Sequence, residues 1–138
     1  MITALPEVGA RIPERSIGPF SSGDLAAYAE VSGDTNPLHL DPQLARTAGL
    51  AAPPVHGMLL LASFEPVLHD WRPDLRIARL SGKFTQPVLE GEAVTLSGRV
   101  VRAGGGEEPQ ILVRLLANGA SRAPAIVGEA ILVPRDAG

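Results

Sequence analysis

Apolar and polar positions follow two different rhythms along this chain, and the change comes near residue 75. Residues 5–18 read as extended. The stretch SSGDLAAYAEVSG then offers Ser21 or Ser22 as a helix N-cap, Asp24 in the first turn and Gly33 as the stop. Asp41-Pro42 repeats that signal, with proline at the first helical position of a brief helix through Ala45 that Gly49 ends. After the rigid AAPPV lead-in, HGMLLLASFEPVLHDW carries apolar residues on nearly every side, the pattern of a helix buried all round. Beyond it the pattern becomes extended: 75–88, 92–102, 110–118 and 125–133, separated by EGE, AGGGEEP and NGASRAP. One buried long central helix, an N-terminal strand and about four antiparallel strands predict an α+β fold in which a curved antiparallel β-sheet wraps the helix. The unpaired sheet edges of such an arrangement favour a second copy, so a homodimer is expected.

Composition narrows the function. A chain of 138 residues, 45% hydrophobic and 20% charged, suits one globular domain over 1–138, and no internal repeat contradicts that. Net charge of −3 with a single lysine argues against a nucleic-acid partner. With no cysteine there is neither a disulfide framework nor a thiolate nucleophile or metal ligand. The first residues lack a basic start and apolar run, and GMLLLASF is far shorter than the roughly 20 residues that span a bilayer. A cytoplasmic protein with no membrane partner is the expectation.

The remaining question is what SGDTNPLHLDP, residues 32–42, does between the first two helices. Asp34 and His39 stand five residues apart, with Asn36-Pro37 between them, in a chain that has three histidines. One reading is a well-made loop with a capping aspartate. The other is an acid/base pair that holds and polarises a water without a metal or cofactor. Pro37 restricts Asn36 to extended or turn geometry, and Asn36 can bond its own backbone or orient a substrate oxygen. Spacing alone leaves both open. Asp34, His39 and Asp41 as metal ligands would lack a second histidine nearby in sequence, so no metal is expected.

Tyr28, Ser32-Gly33-Asp34, Asn36-Pro37-Leu38-His39 and Ala45 resemble the hydratase-2 motif of MaoC-like (R)-specific enoyl-CoA hydratases. The likeness continues through Val55-His56-Gly57-Met58 and, more loosely, Phe84, Pro87-Val88 and Gly91-Glu92. The resemblance implies the hot-dog fold and a lyase of fatty acid metabolism that reversibly adds water, syn, to a trans-2-enoyl thioester. Asp34 and His39 would share one water, in an order the sequence leaves open. The Gly57 amide, at a helix N-terminus, would face the thioester oxygen. The acyl chain would run beside the long helix, where Met58, Leu61, Glu65 and Leu68 share a stripe. Glu65 either lies at a solvent-facing edge or borders the pocket and limits it to short or polar acyl groups. CoA or an acyl carrier would hold the substrate, and no cofactor is needed. Two alternatives use the same fold: an acyl-CoA thioesterase, which attacks the carbonyl, and a non-catalytic acyl-thioester-binding module, which has no use for the pair. His56 reads as a structural turn residue, His69 as a charge at a helix C-terminus, and Arg76, Arg79 and Lys83 as a solvated strand face, with contact to CoA phosphates as the other reading.

Overall fold

The computed structural model describes residues 4–135. Five strands build one antiparallel sheet: β1 (Arg11–Ile17), β2 (Leu75–Phe84), β3 (Val94–Gly104), β4 (Gln110–Asn118) and β5 (Ile126–Pro134), in the order β1-β3-β4-β5-β2. Alternation fixes which face is inside. Ile111, Val113, Leu115 and Ala117 of β4 are all buried, while the residues between them are half-buried or exposed. Register shifts at Ile12/Arg15, Ile77/Arg79 and Val100/Arg102 insert extra residues into three strands, and such bulges bend and twist a sheet.

Four helices precede or follow the catalytic-looking loop. Helix α1 (Ser22–Ser32) is capped by Ser21, whose hydroxyl accepts the Asp24 amide while the Asp24 carboxylate accepts the Ser21 amide, and it ends at Gly33 with φ of 79°. That positive φ is what glycine supplies at a helix stop. Helix α2 (Pro42–Thr47) is capped by Asp41, whose Oδ1 accepts the amides of Gln43 and Leu44.

The predicted long helix exists but is interrupted. Helix α3 (Gly57–Ala62) and helix α4 (Phe64–Trp71) meet at Ser63, which keeps right-handed helical torsions. Pro66 is the cause: it has no amide to offer the Ala62 carbonyl. Ser63 adds a local bond, its hydroxyl donating 2.7 Å to the Leu59 carbonyl. Leu60, Leu61, Phe64, Val67 and Leu68 from the two pieces join the sheet's inner face in one hydrophobic core. The approach is close: a Cβ on Gly82 of β2 would stand 3.3 Å from Leu61 Cδ1 and 3.0 Å from Ile126 Cγ2.

Strand β2 ends at Phe84, short of the predicted residue 88, because Thr85 to Pro87 leave the sheet. His69 stands in the last turn of α4, as expected, with Arg135 Nη2 3.2 Å from its Nδ1.

Candidate active site

The loop after α1 is wired by its own short side chains. Asp34 N donates to Ser32 Oγ (3.1 Å), Asn36 N to Asp34 Oδ1 (3.3 Å) and Leu38 N to Asn36 Oδ1 (3.0 Å). Pro37 then starts a single 3₁₀ turn, Pro37–His39, closed by the Leu40 amide on the Pro37 carbonyl at 3.0 Å, with the Asp41 amide adding a second bond to the same carbonyl at 2.8 Å. Two consequences follow for Asp34. Its Oδ1 is committed to the loop backbone, and its Oδ2 faces His39 Nε2 at 3.7 Å.

His39 is fixed from the other side. Its Nδ1 lies 2.7 Å from the Pro54 carbonyl, an acceptor only, so Nδ1 carries the hydrogen and a neutral ring has its lone pair at Nε2. Pro54 is itself held: Val55 N donates to Val88 O (2.7 Å) and Glu90 N to Pro53 O (2.8 Å). The diproline therefore presents its carbonyl from a strapped segment rather than a free loop. The His39 side chain is 15% exposed and that of Asp34 51%. At 3.7 Å the pair makes no direct hydrogen bond, and a water could bridge the groups.

A cleft of about 410 Å³ opens beside Asp34, walled by Gly57, Met58, Phe84, Pro87 and Val88 among others. Gly57 is the first residue of α3, where amides lack partners within the helix. The Phe84 ring lies against it: a Cβ on Gly57 would stand 2.8 Å from Phe84 Cε1.

The structure thus brings Asp34, Gly57 and Met58 to one cleft, with His39 against Asp34. It does not bring the other predicted residues there. Asn36 is exposed and uses its side-chain oxygen as a cap, the first of its two readings. Leu61 is in the core, 6% exposed, and does not line the cleft. Glu65 is exposed and borders a separate cavity of about 230 Å³ with His69, Arg76 and Arg135. Beyond Met58 the stripe lies outside this cleft: Leu61 is in the core, and Glu65 and Leu68 line the separate cavity.

One residue has more to do than its sequence suggested. His56 is 1% exposed. Its Nε2 lies 3.2 Å from the Asp34 carbonyl, its ring stacks on His39 (centroids 3.9 Å apart, planes 21°), and it meets Tyr28 edge-on at 4.8 Å. Burial, foremost, pushes its pKa down. The only hint in the sequence was a histidine set among apolar residues after two prolines. Asp34, His39 and His56 bring ligand-type atoms within 4.8 Å of one another. Their geometry suits an ion poorly: an ion shared by two stacked rings would sit out of both ring planes, away from their lone pairs.

The sequence profile of the MaoC-like domain matches residues 7–117. This chain belongs to that family. It is 42% identical over 93 residues to the (R)-specific enoyl-CoA hydratase of Aeromonas caviae, covering 64% of this chain and 66% of that protein. It is 44% identical over 75 residues to the mitochondrial 3-hydroxyacyl-[acyl-carrier-protein] dehydratase of Arabidopsis thaliana, covering 54% of this chain and 45% of that protein. The matches thus span less than two thirds of either relative. Among solved structures, the (R)-hydratase of A. caviae involved in PHA biosynthesis superposes with a TM-score of 0.84 at 32% identity, over 94% of this chain and 98% of that one. The expected α+β hot-dog fold is therefore the fold of this chain.

Proposed function

We propose that this MaoC-like chain is a hydro-lyase that reversibly adds water across the 2,3 double bond of a trans-2-enoyl thioester, giving an (R)-3-hydroxyacyl thioester. The observation that carries the reading is the Asp34–His39 pair: two proton acceptors 3.7 Å apart, one at the mouth of an apolar cleft. The relatives' names point to the same chemistry.

A water between Asp34 Oδ2 and His39 Nε2 meets an acceptor at each end. The carboxylate has no proton to give and the neutral ring's hydrogen is held by Pro54 O, so the proton that reaches C2 comes from the water itself. As oxygen bonds to C3, one member of the pair takes a proton, and the pair returns it to C2 from the same side, which makes the addition syn. Negative charge moves onto the thioester oxygen, and the Gly57 amide is the donor proposed for it. Met58 is proposed to contact the acyl group, with Asn36 supporting the loop. The scheme uses no metal and no cofactor beyond the CoA or acyl-carrier thioester of the substrate.

A homodimer is part of the proposal. Strands β1 and β2 are the sheet's edges, and β2 offers ten residues along an edge that no other described strand covers. Among the described residues no helix is long and apolar enough to cross a membrane. The cytoplasm is the compartment proposed, tested by imaging a tagged chain.

Crotonyl-CoA supplies the decisive assay. The expected result is loss of enoyl absorbance with formation of (R)-3-hydroxybutyryl-CoA and no free thiol. Thiol release without hydration would make the chain a thioesterase. Binding without either reaction would make it an acyl-thioester-binding module.

A further inference from the structure

We propose that His56 is the positioning residue of the Asp34–His39 pair, holding the Asp34 main chain through one ring nitrogen and backing the His39 ring with its face. The inference rests on the reading of Asp34 and His39 as the reacting pair and adds to it the group that sets their separation.

Each half has its own observation. The Asp34 carbonyl can only accept, so His56 Nε2, 3.2 Å away, is the donor. That bond ties the start of the loop to the residue before α3, across 22 positions of sequence. The nearly parallel stack, 3.9 Å between centroids and 21° between planes, limits how far the His39 ring can tilt away from Asp34. Tyr28 of α1 also meets the His56 ring edge-on at 4.8 Å, so the ring packs against α1 as well as the loop.

The choice of histidine is itself informative. His56 Nδ1 is buried and has no hydrogen-bond partner, an unfavourable state that a phenylalanine in the same space would avoid. Phenylalanine could stack but not donate. Asparagine could donate but not stack. A neutral imidazole does both, and its unpartnered nitrogen is the cost of that combination. The ionisable groups that face it are Asp34 and His39 from the loop and Tyr28 from α1. Burial opposes a charge on His56, with His39 adding to that and Asp34 working the other way. His39 therefore has a neutral π face behind it when it takes up a proton, rather than a second cation.

The test compares His56→Phe, which keeps the face, with His56→Asn, which keeps a donor. Crotonyl-CoA kinetics and imidazole nitrogen NMR are recorded on both and on the parent. Each variant is expected to lose about 10-fold to 100-fold in kcat with KM within about threefold, because substrate contacts are intact while the pair is misplaced. The His39 Nδ1–H signal is expected to weaken or shift in both. Unchanged kcat per folded chain together with an unchanged His39 signal would overturn the proposal, and so would activity that falls only in step with the folded fraction. If the parent shows no turnover, the hydratase reading fails by itself. The NMR comparison then still scores the positioning role: an altered His39 signal supports it and an unaltered one rejects it.

Discussion

At the scale of single residues the structure assigns different work to atoms of the same side chain. Asp34 Oδ1 holds the Asn36 amide while Oδ2 faces His39, so Asp34→Asn preserves the loop bond and removes the negative charge. The expected effect is a fall of about 10²–10⁴ in kcat/KM for crotonyl-CoA with little change in melting temperature, and His39→Ala should match it in activity. Parent-like hydration by either variant would remove the pair from the mechanism. Gly57 gives a second expectation. A methyl there would stand 2.8 Å from the Phe84 ring, but Phe84 is 52% exposed, so its ring has solvent to move into. Gly57→Ala should therefore fold normally and lose activity, since the displaced ring and the new methyl both crowd the amide. Adding Phe84→Ala should recover part of the loss, as read by kcat/KM of the double variant.

At the scale of elements, small polar contacts set where helices start and how their ends are tied. Asp41 caps α2 through two amides, and α2 buries Ala45 completely. Asp41→Ala should cost about 1 kcal/mol, measured as a lower urea midpoint. At the other end of the helical segment Arg72 grips Asp74 with two bonds, 2.8 Å from Nε and 2.7 Å from Nη2, and the guanidinium holds the Asp74 carboxyl below its ordinary value. A lowered folded-state value means that this stabilisation is fully present above the unfolded carboxylate pKa and is lost as pH falls through the lower folded one. Asp74→Asn should accordingly be less stable than the parent at neutral pH, with the gap closing below the usual carboxylate range. Urea midpoints recorded against pH check it.

The same scale explains what could be read in advance. Ser21, Asp24, Gly33 and Asp41-Pro42 act over three or four residues, so the ends of α1 and α2 were visible in the sequence. Alternation gave β4 residue for residue, at 110–118. The interruption at Ser63 was missed because apolar content masked Pro66. The site was half legible. Asp34 and His39 lie in one loop, but Pro54, His56 and Phe84 reach them from 15 to 50 positions away, and no local period encodes such meetings. A helical stripe likewise says which residues share a side, not which neighbour that side meets, so it did not foretell that Glu65 borders a different cavity from Met58.

At the scale of the whole molecule the sheet order leaves β2 at an edge, ten residues long. Arg76, Arg79 and Lys83 along it are a common guard against uncontrolled strand pairing, which favours a defined pair of copies over open aggregation. Light scattering on the eluting protein should give the mass of two chains, and a single-chain mass at micromolar concentration would refute the dimer. The access of the two reacting groups to solvent is unequal as well, His39 being sheltered and Asp34 half open. The half-open carboxylate leaves solvent a route to the pair while the protein is at rest, so each turnover can draw its water without a conformational opening.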